Sequence, residues 1–479
     1  MTASSTSCLR SSAAGLLKVP APRAIRTCPI RFRNPNLSQA NMSGPRLSTN
    51  PYKGTRDFYP EDMVLRNWFL GRMREVAERY GYEEYSGPIV ELFDLYAAKS
   101  GEELVREQIY HFEDKGKRRL AIRPEVTPSV ARMVAARLEQ LVFPLRWYTI
   151  ANLMRYERPQ KGRLREHWQL NMDIFGEPGI RADLEILSVI VDLLLAFGAD
   201  SSMFRIRVSD RRLFNDVLRD ALGADQEQVQ AISKAVDKRS KISKEEYKQW
   251  LAESGIRPGK IALLDEVSAL SLEELIARLR SESRGAADMR DLFALLGETG
   301  LAEYCDFDFS IVRGFDYYTG TVFEVYDNSP ENRRALFGGG RYDDLIGLFK
   351  KADVPGVGFG FGDVTFQDFL EIHDLIPVSL GRAKGVLIVA FEETPYAEYV
   401  KIARELRAAG IACGIFLDPK AKLKKQLAYA EKKGFAAALL AGPEEMEKGT
   451  VVLKELALRR QVVVSRTECL PKLKEWLGT

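Results

Sequence analysis

The sequence predicts a multidomain protein of mixed α and β structure, and three observations carry that reading. Its 479 residues exceed one ordinary domain, so two or three separate cores are expected. Apolar residues recur at helical spacing in some stretches and in short extended runs in others, and between about residues 225 and 298 the pattern is almost wholly helical. Beyond residue 383, short apolar runs alternate with helical ones, the mark of a small α/β domain.

The first fifty residues differ from all that follows. They contain no Asp or Glu, are rich in Ser, Ala and Pro, and carry Arg10, Lys18, Arg23, Arg26, Arg31, Arg33 and Arg46, the composition of an organelle transit peptide. The apolar run at 13–17 is too short to be the centre of a secretory signal. Residues 1–48 are therefore read as a transit peptide, directing the chain to a chloroplast, a mitochondrion or both. The whole chain has 70 basic and 67 acidic residues, and loss of the segment's seven basic residues leaves 63 against 67, near −4. Bulk charge then offers no case for nucleic-acid binding, so any such case rests on local patches.

Ordered structure is expected from about residue 52. Met63, Leu65, Trp68, Phe69, Met73, Val76 and Ala77 recur at helical spacing across 61–80, and Gly81 separates that helix from a strand reaching Pro88. Extended and helical pieces then alternate as far as Gly198. Within them, 184–198 is the most continuous apolar stretch, but Glu185 and Asp192 interrupt it and a glycine ends it; a buried helix is expected, not a membrane span. Residues 204–208 read as a strand and 210–221 as a helix. The stretch at 225–298 is assigned as a helical insertion, in which Ser243 and Glu246 have the spacing of a capping box before Tyr247, Trp250 and Leu251. Strand character returns at Phe307 and runs to Asp327. After a break at 375–385, strands are expected at 386–390, 411–416 and 436–440, with helices at 396–409 and 421–433.

Several chemistries are excluded. Cys8, Cys28, Cys305, Cys413 and Cys469 have no paired spacing, and His111, His167 and His373 lie far apart. No disulfide scaffold, zinc site or multi-histidine metal centre is expected. No Gly-x-Ser-x-Gly elbow occurs, which argues against a serine hydrolase.

Five short segments concentrate the remaining chemistry. Residues 313–324 set Arg313 ahead of the adjacent pair Tyr317 and Tyr318, between Gly314 and Gly320. Neighbouring residues on a strand point to opposite faces, so both tyrosines reach one pocket only where the backbone bends; a bare pair is expected to be core. Residues 155–176 gather Arg155, Arg158, Lys161, Arg163 and Arg165 around Pro159 and Gly162, a turning loop between two strands. Guanidinium groups suit phosphate oxygens, although an isolated basic loop more often pairs with its own acids, here Glu157 and Glu166. On the second strand Gln169 and Asp173 share one face and can point into one pocket. Residues 123–128, Arg-Pro-Glu-Val-Thr-Pro, read as a turn opening a helix. Residues 337–344 carry three glycines without the Gly-Lys-Ser/Thr of a P-loop, and 355–370 form a glycine-aromatic strand before a helix.

In this order the segments resemble those of the histidyl-tRNA synthetases, within class II of the aminoacyl-tRNA synthetases, over nearly all of 53–476. The resemblance implies an α+β catalytic domain at 49–375, an antiparallel sheet flanked by helices and carrying the helical insertion, followed by an α/β anticodon-binding domain at 383–479. It implies that Arg155 and Arg313 are catalytic cations on the α-phosphate of ATP and that Glu157 lies near the adenine. Glu125, Val126 and Thr127 then belong to the histidine site, with Gln169, Asp173, Tyr317 and Tyr318 around the amino acid. A buried carboxylate is a sensible partner for imidazole, because it accepts a ring N–H and rejects apolar competitors. Residues 160–163 would approach the acceptor end of tRNA(His), and Lys420, Lys424 or Lys425 would be candidates for anticodon contact. ATP as substrate, Mg²⁺, L-histidine and a homodimer with residues 81–100 at its interface complete the implied set, with no resident metal and no membrane.

One departure stands out. After the last glycine of 355–362, most family members have a Glu-Arg pair whose arginine clamps ATP, whereas this chain has Asp363-Val364-Thr365. The expected consequence is an active ligase with an altered nucleotide grip. The rival implied by the same departure is a synthetase-like, histidine-sensing regulatory subunit of ATP phosphoribosyltransferase, although such regulators generally lack the C-terminal domain.

Overall fold

The computed structural model describes residues 47–98, 104–239, 242–312, 317–378, 380 and 385–478, and every element named below lies in the unit formed by residues 51–479. Residues 1–46, which make up most of the transit-peptide assignment, and Arg313 lie outside the described residues.

Helix α1 (Pro60–Arg79) starts with a proline, whose fixed φ and missing N–H suit that position. The Asp62 carboxylate accepts from the Tyr59 N–H at 2.9 Å, and Phe69, Met73, Val76 and Ala77 form the buried stripe. There follow β1 (Glu83–Glu84), β2 (Val90–Leu92), α2 (Phe93–Ala97), β3 (His111–Glu113), β4 (Arg119–Ile122) and α3 (Thr127–Ala136). The long hairpin of β5 (Leu145–Met154) and β6 (Glu166–Phe175) leads to α4 (Ile180–Ala196), β7 (Phe204–Asp210) and α5 (Arg211–Leu222). Asp210 ends β7 and caps α5, accepting from the Arg212 and Leu213 N–H groups.

The helical stretch contains α6 (Gln226–Lys238), α7 (Lys244–Glu253), α8 (Pro258–Val267), α9 (Leu272–Arg278) and α10 (Arg284–Glu298). Reciprocal capping boxes start α6, α7 and α9, at Asp225 with Gln228, Ser243 with Glu246 and Ser271 with Glu274. Ile232, Leu251, Leu264, Leu275, Met289 and Leu292 join the same apolar core as α1 and α4. The insertion thus extends the core of the sheet domain and does not build one of its own.

After β8 (Cys305–Phe307) come β9 (Thr321–Asp327), β10 (Ala335–Arg341), β11 (Gly356–Gly362) and α11 (Asp363–Ile372). The continuous strand expected from Phe307 to Asp327 is therefore two strands. Between them, the Asp308 carboxylate accepts from the Ser310 N–H at 2.9 Å and hydroxyl at 2.6 Å, a side-chain-built turn that takes the chain out of the sheet.

The main sheet has eight strands in the order β1-β5-β6-β11-β10-β9-β7-β8. Its inner pairs are antiparallel, and only the edge pairs β1 with β5 and β7 with β8 are parallel. Alternation along each strand gives the sheet two unlike faces. Leu170, Met172, Ile174, Phe323, Val325, Val357, Phe359 and Phe361 pack into the core beneath the helices, each contributing about 1.5–3 kcal/mol by burial. On the other face Gln169, Asn171 and Asp173 stand opposite Gly362, Gly360 and Gly358.

Arg341 locks the end of β10 to the start of α4. Its guanidinium pairs with Asp183 and donates to the carbonyls of Glu177 at 3.0 Å and Gly179 at 2.9 Å. Both side chains of the pair are almost fully buried, at 3% and 1% exposure, so removal of either would strand an uncompensated charge.

The C-terminal part comprises β12 (Val386–Val389), α12 (Tyr396–Ala408), β13 (Cys413–Ile415), α13 (Leu423–Lys433), β14 (Ala437–Leu440), α14 (Pro443–Lys448), β15 (Thr450–Glu455), β16 (Arg460–Ser465) and α15 (Arg466–Leu477). Its sheet runs β13-β12-β14-β15-β16, parallel among the first three strands and antiparallel beyond. The β15–β16 hairpin was not among the expected strands. Fully buried Gln426 ties α13 to β12, accepting from the Ala390 N–H at 3.0 Å and donating to the Ala390 and Ala421 carbonyls at 2.8 Å each.

Candidate active site

The glycines of β11 recess one face of the main sheet, and polar side chains of β6 lie in the recess. A Cβ on Gly358 would run into the Asp173 carboxylate and lie 2.5 Å from the Met172 carbonyl and 2.9 Å from the Tyr342 hydroxyl. One on Gly360 would displace the Gln169 amide, with its Cδ at 2.8 Å. Glycine is needed at both positions so that polar side chains of β6 can lie across β11.

Asp173 is 2% exposed. One carboxylate oxygen accepts the Tyr342 hydroxyl; the other is buried with no hydrogen-bond partner among the described residues. Burial raises the Asp173 pKa to about 7, against the pull of the Tyr342 hydroxyl. Asn171, two residues away on the same face, also has a buried side-chain oxygen without a partner among the described residues. Such atoms each cost about 1–3 kcal/mol when left unmet, so they mark a place shaped for something else.

Aromatic rings wall the pocket. The Tyr317 hydroxyl donates to the Glu125 carboxylate at 3.1 Å, and the Tyr317 ring lies 4.8 Å from Tyr318 and 5.8 Å from Tyr342. Both members of the tyrosine pair are buried in one cluster with Tyr342 and Phe175. They face together because they precede β9 and lie off the strand, which removes the alternation expected of strand neighbours. Thr127 is the first residue of α3, and Val126 packs against Ala151 and Leu153.

At the hairpin, Arg155 donates through Nε to the Pro124 carbonyl at 2.9 Å, which fixes it beside the Glu125 turn. Arg123 has a structural task, donating to the carbonyls of Asn152 at 2.9 Å and Gly87 at 3.0 Å. His167 is held down at a pKa of about 3 by burial and then by the positive fields of Arg155 and Arg56, so it stays neutral beside them. Around the loop, Arg163 pairs with Glu157 at 3.2 Å and Arg165 donates to the Glu157 carbonyl at 3.1 Å. Gly162, at φ +73°, brings the loop tip against Thr365. Thr365 itself donates to the Leu336 carbonyl at 2.6 Å. Asp363 accepts from Arg56 at 2.6 Å and from the Trp168 N–H at 3.0 Å, anchoring the start of α11.

The structure therefore brings Glu125, Tyr317, Tyr318, Gln169 and Asp173 to one pocket, with Arg155 at the adjoining turn. Sequence reasoning missed Asn171 and Tyr342. The alternation that links Gln169 to Asp173 passes through Asn171 and could have found it; Tyr342 needs the β10–β11 register, which no local pattern encodes.

The pKa of Asp173 carries a testable sign. Its native value is raised above the unfolded one, so the stability linked to this group is full below the usual carboxylate range and lost as pH rises through about 7. Asp173→Asn should raise the melting temperature of the ligand-free protein by several degrees at about pH 8 and by less at about pH 5. An equal change at both, measured by differential scanning fluorimetry, would refute the assignment of a strained buried carboxylate.

Comparison with known proteins bears on this site. The family model described as histidyl-tRNA synthetase matches residues 54–362, and that of an anticodon binding domain matches 385–476. The histidine–tRNA ligase of Leptospira biflexa is 48% identical over 441 residues, which are 91% of this chain and all of the relative. The chloroplastic/mitochondrial histidine–tRNA ligase of Arabidopsis thaliana is 38% identical over 88% of this chain and 86% of its own length. The crystal structure of histidyl-tRNA synthetase from Nostoc sp. PCC 7120 superposes with a TM-score of 0.74 over 90% of this chain and 100% of that one, at 23% identity, a likeness of fold. With the family model spanning the pocket and the Leptospira relative aligned end to end, the chain belongs to the histidyl-tRNA synthetase family.

Proposed function

We propose that the chain is a histidine–tRNA ligase, which activates L-histidine with ATP and passes the histidyl group to tRNA(His). The observation that carries this reading is the partnerless Asp173 oxygen in a pocket walled by Tyr317, Tyr318 and Tyr342. An imidazole N–H would satisfy that oxygen, and an apolar side chain would leave it stranded. Glu125, beside the tyrosine wall, would take the α-amino group.

Activation needs no enzyme nucleophile. The histidine carboxylate attacks the α-phosphorus of ATP in line, the bond to the leaving diphosphate breaks, and histidyl-adenylate remains. Arg155, fixed by the Pro124 carbonyl, would neutralise charge on the α-phosphate, as would Arg313 by its place in the motif. Thr365 supplies no cation, so these two arginines carry more of the grip. Mg²⁺ would accompany the phosphates of ATP, whose oxygens suit it. The terminal ribose hydroxyl of the tRNA then takes the histidyl group, while the 385–476 domain would hold the anticodon. On α13, Lys424 and Lys425 are exposed and Gln426 anchors the helix behind them.

Two further parts of the reading concern assembly and address. Ile89, Val90 and Leu92 on and before β2 and Phe112 on β3 expose 57%, 40%, 55% and 45% of their surface within one small sheet. A second copy of the chain would cover such an apolar face, making the protein a homodimer. The acid-free, arginine-bearing first 48 residues support import into a plastid or mitochondrion. Light scattering should give twice the chain mass, and a fluorescent fusion of the full chain should enter an organelle; a monomer or a cytosolic signal would sink the respective proposal.

The activity is tested by charging a tRNA(His) transcript with labelled histidine. The parent should charge, and Arg155→Ala should lose about a hundredfold or more in kcat. A parent that binds histidine yet never charges tRNA would instead support the regulatory reading that the Thr365 departure keeps open.

A further inference from the structure

The segment before α1 is strapped to the base of the β5–β6 hairpin. The Gly54 carbonyl accepts the N–H groups of Arg165 at 2.8 Å and Glu166 at 3.2 Å, and the Thr55 N–H and hydroxyl donate back to the Tyr52 carbonyl at 2.9 and 2.7 Å. Arg56 and Phe58 follow. The Arg56 guanidinium lies 4.9 Å from the centre of the Phe58 ring, and that of Arg66, on α1, lies 4.7 Å from it and 3.7 Å from the centre of Trp168. Stacking of this kind holds a guanidinium in one place.

That place is the edge of the recessed face. Arg56 donates to one Asp363 oxygen at 2.6 Å, and the Trp168 N–H donates to the other at 3.0 Å. Gly362 stands opposite Gln169, and Leu153 opposite His167. By alternation His167 shares its face with Gln169, Asn171 and Asp173, while Trp168 belongs to the other face. Strand β6 lies between β5 and β11, so Arg155, just past the end of β5, is on one side of His167. Asp363, just past the end of β11 and paired with Arg56, is on the other. The positive fields of both arginines reach the His167 ring.

Anchoring α11 does not by itself account for Arg56. Asp363 already accepts the Trp168 N–H and lies in the field of Arg66 as well. A guanidinium has five donors and Asp363 takes one. The Arg56 Nε is buried without a partner among the described residues, and the side chain keeps 22% exposure. With Arg155 on the α-phosphate, ATP still brings two outer phosphates. Thr365 offers them nothing, because its hydroxyl donates to the Leu336 carbonyl at 2.6 Å. Arg66 is stacked over Trp168 on the opposite face, which leaves Arg56 to serve this side of the sheet.

We propose that Arg56, oriented by Asp363, is a further substrate-binding residue whose guanidinium takes the outer phosphates of ATP. This rests on the reading of the chain as an ATP-dependent ligase with Arg155 on the α-phosphate. The nucleotide then crosses neutral His167 with a guanidinium at each side, and the planar fork of each matches phosphate oxygens.

The test is histidine-dependent exchange of diphosphate into ATP by Arg56→Gln. The KM for ATP should rise about tenfold, with the KM for histidine unchanged. In thermal unfolding, the stabilisation given by a fixed concentration of ATP should shrink, whereas that given by AMP, which lacks the outer phosphates, should match the parent. An anchoring role would not separate ATP from histidine or from AMP. An unchanged KM for ATP, equal rises for both substrates, or an equal loss of stabilisation by AMP would overturn the proposal. Should Arg56→Gln fold poorly, Arg56→Lys keeps the charge beside Asp363 but loses the fork, and the same selective rise for ATP is expected of it. A parent without histidine-dependent exchange would instead refute the ligase reading, an outcome separate from any difference between parent and variant.

Discussion

The pairing of β6 with β11 is the constraint on which the site depends. Asp173 stands opposite Gly358 and Asn171 opposite Gly360, and the missing side chains on β11 leave the space that the polar groups of β6 occupy. A slip of one residue would turn Asp173 into the core and Met172 into the pocket. That register is held from the other face, where Leu170, Met172, Ile174, Val357, Phe359 and Phe361 pack beneath α1 and α4. The apolar face thus offsets the cost of a pocket containing a half-satisfied carboxylate and an unmet amide oxygen.

The same division of labour separates the arginines. Arg341 is nearly buried, paired with Asp183 and donating to two carbonyls, and Arg123 donates to two more; both are spent on architecture. Arg155 is held by one carbonyl through Nε, which orients the fork. Arg56 holds Asp363, and through it the start of α11, two residues before the threonine that stands in place of an arginine. Residue type alone does not distinguish these uses; the partners do.

Much of the architecture was legible because it rests on local rules. The period of α1, the capping box at Ser243 and the alternation of Gln169 with Asp173 each follow from neighbours a few residues away. The break between β8 and β9 was not legible, since Asp308 and Ser310 make a turn that hydropathy does not register. The β15–β16 hairpin escaped because Val463 on its outer strand is exposed and the strand burial is weak. In the pocket, Tyr342 reaches Asp173 from just after β10, and its role appears only when the strand order is known. Four strands lie between β6 and β11 in sequence, and the fold, not any motif, closes that separation.

The central claim is that the face emptied by Gly358 and Gly360 is where histidine binds. Calorimetric titration of histidine into Asp173→Ala measures it most directly, because the change removes the buried carboxylate beside those glycines and puts no methyl against the β6 backbone. The account predicts a folded variant, with parent-like circular dichroism and ATP binding, that shows no heat of histidine binding. Parent-like histidine affinity in that variant would contradict it.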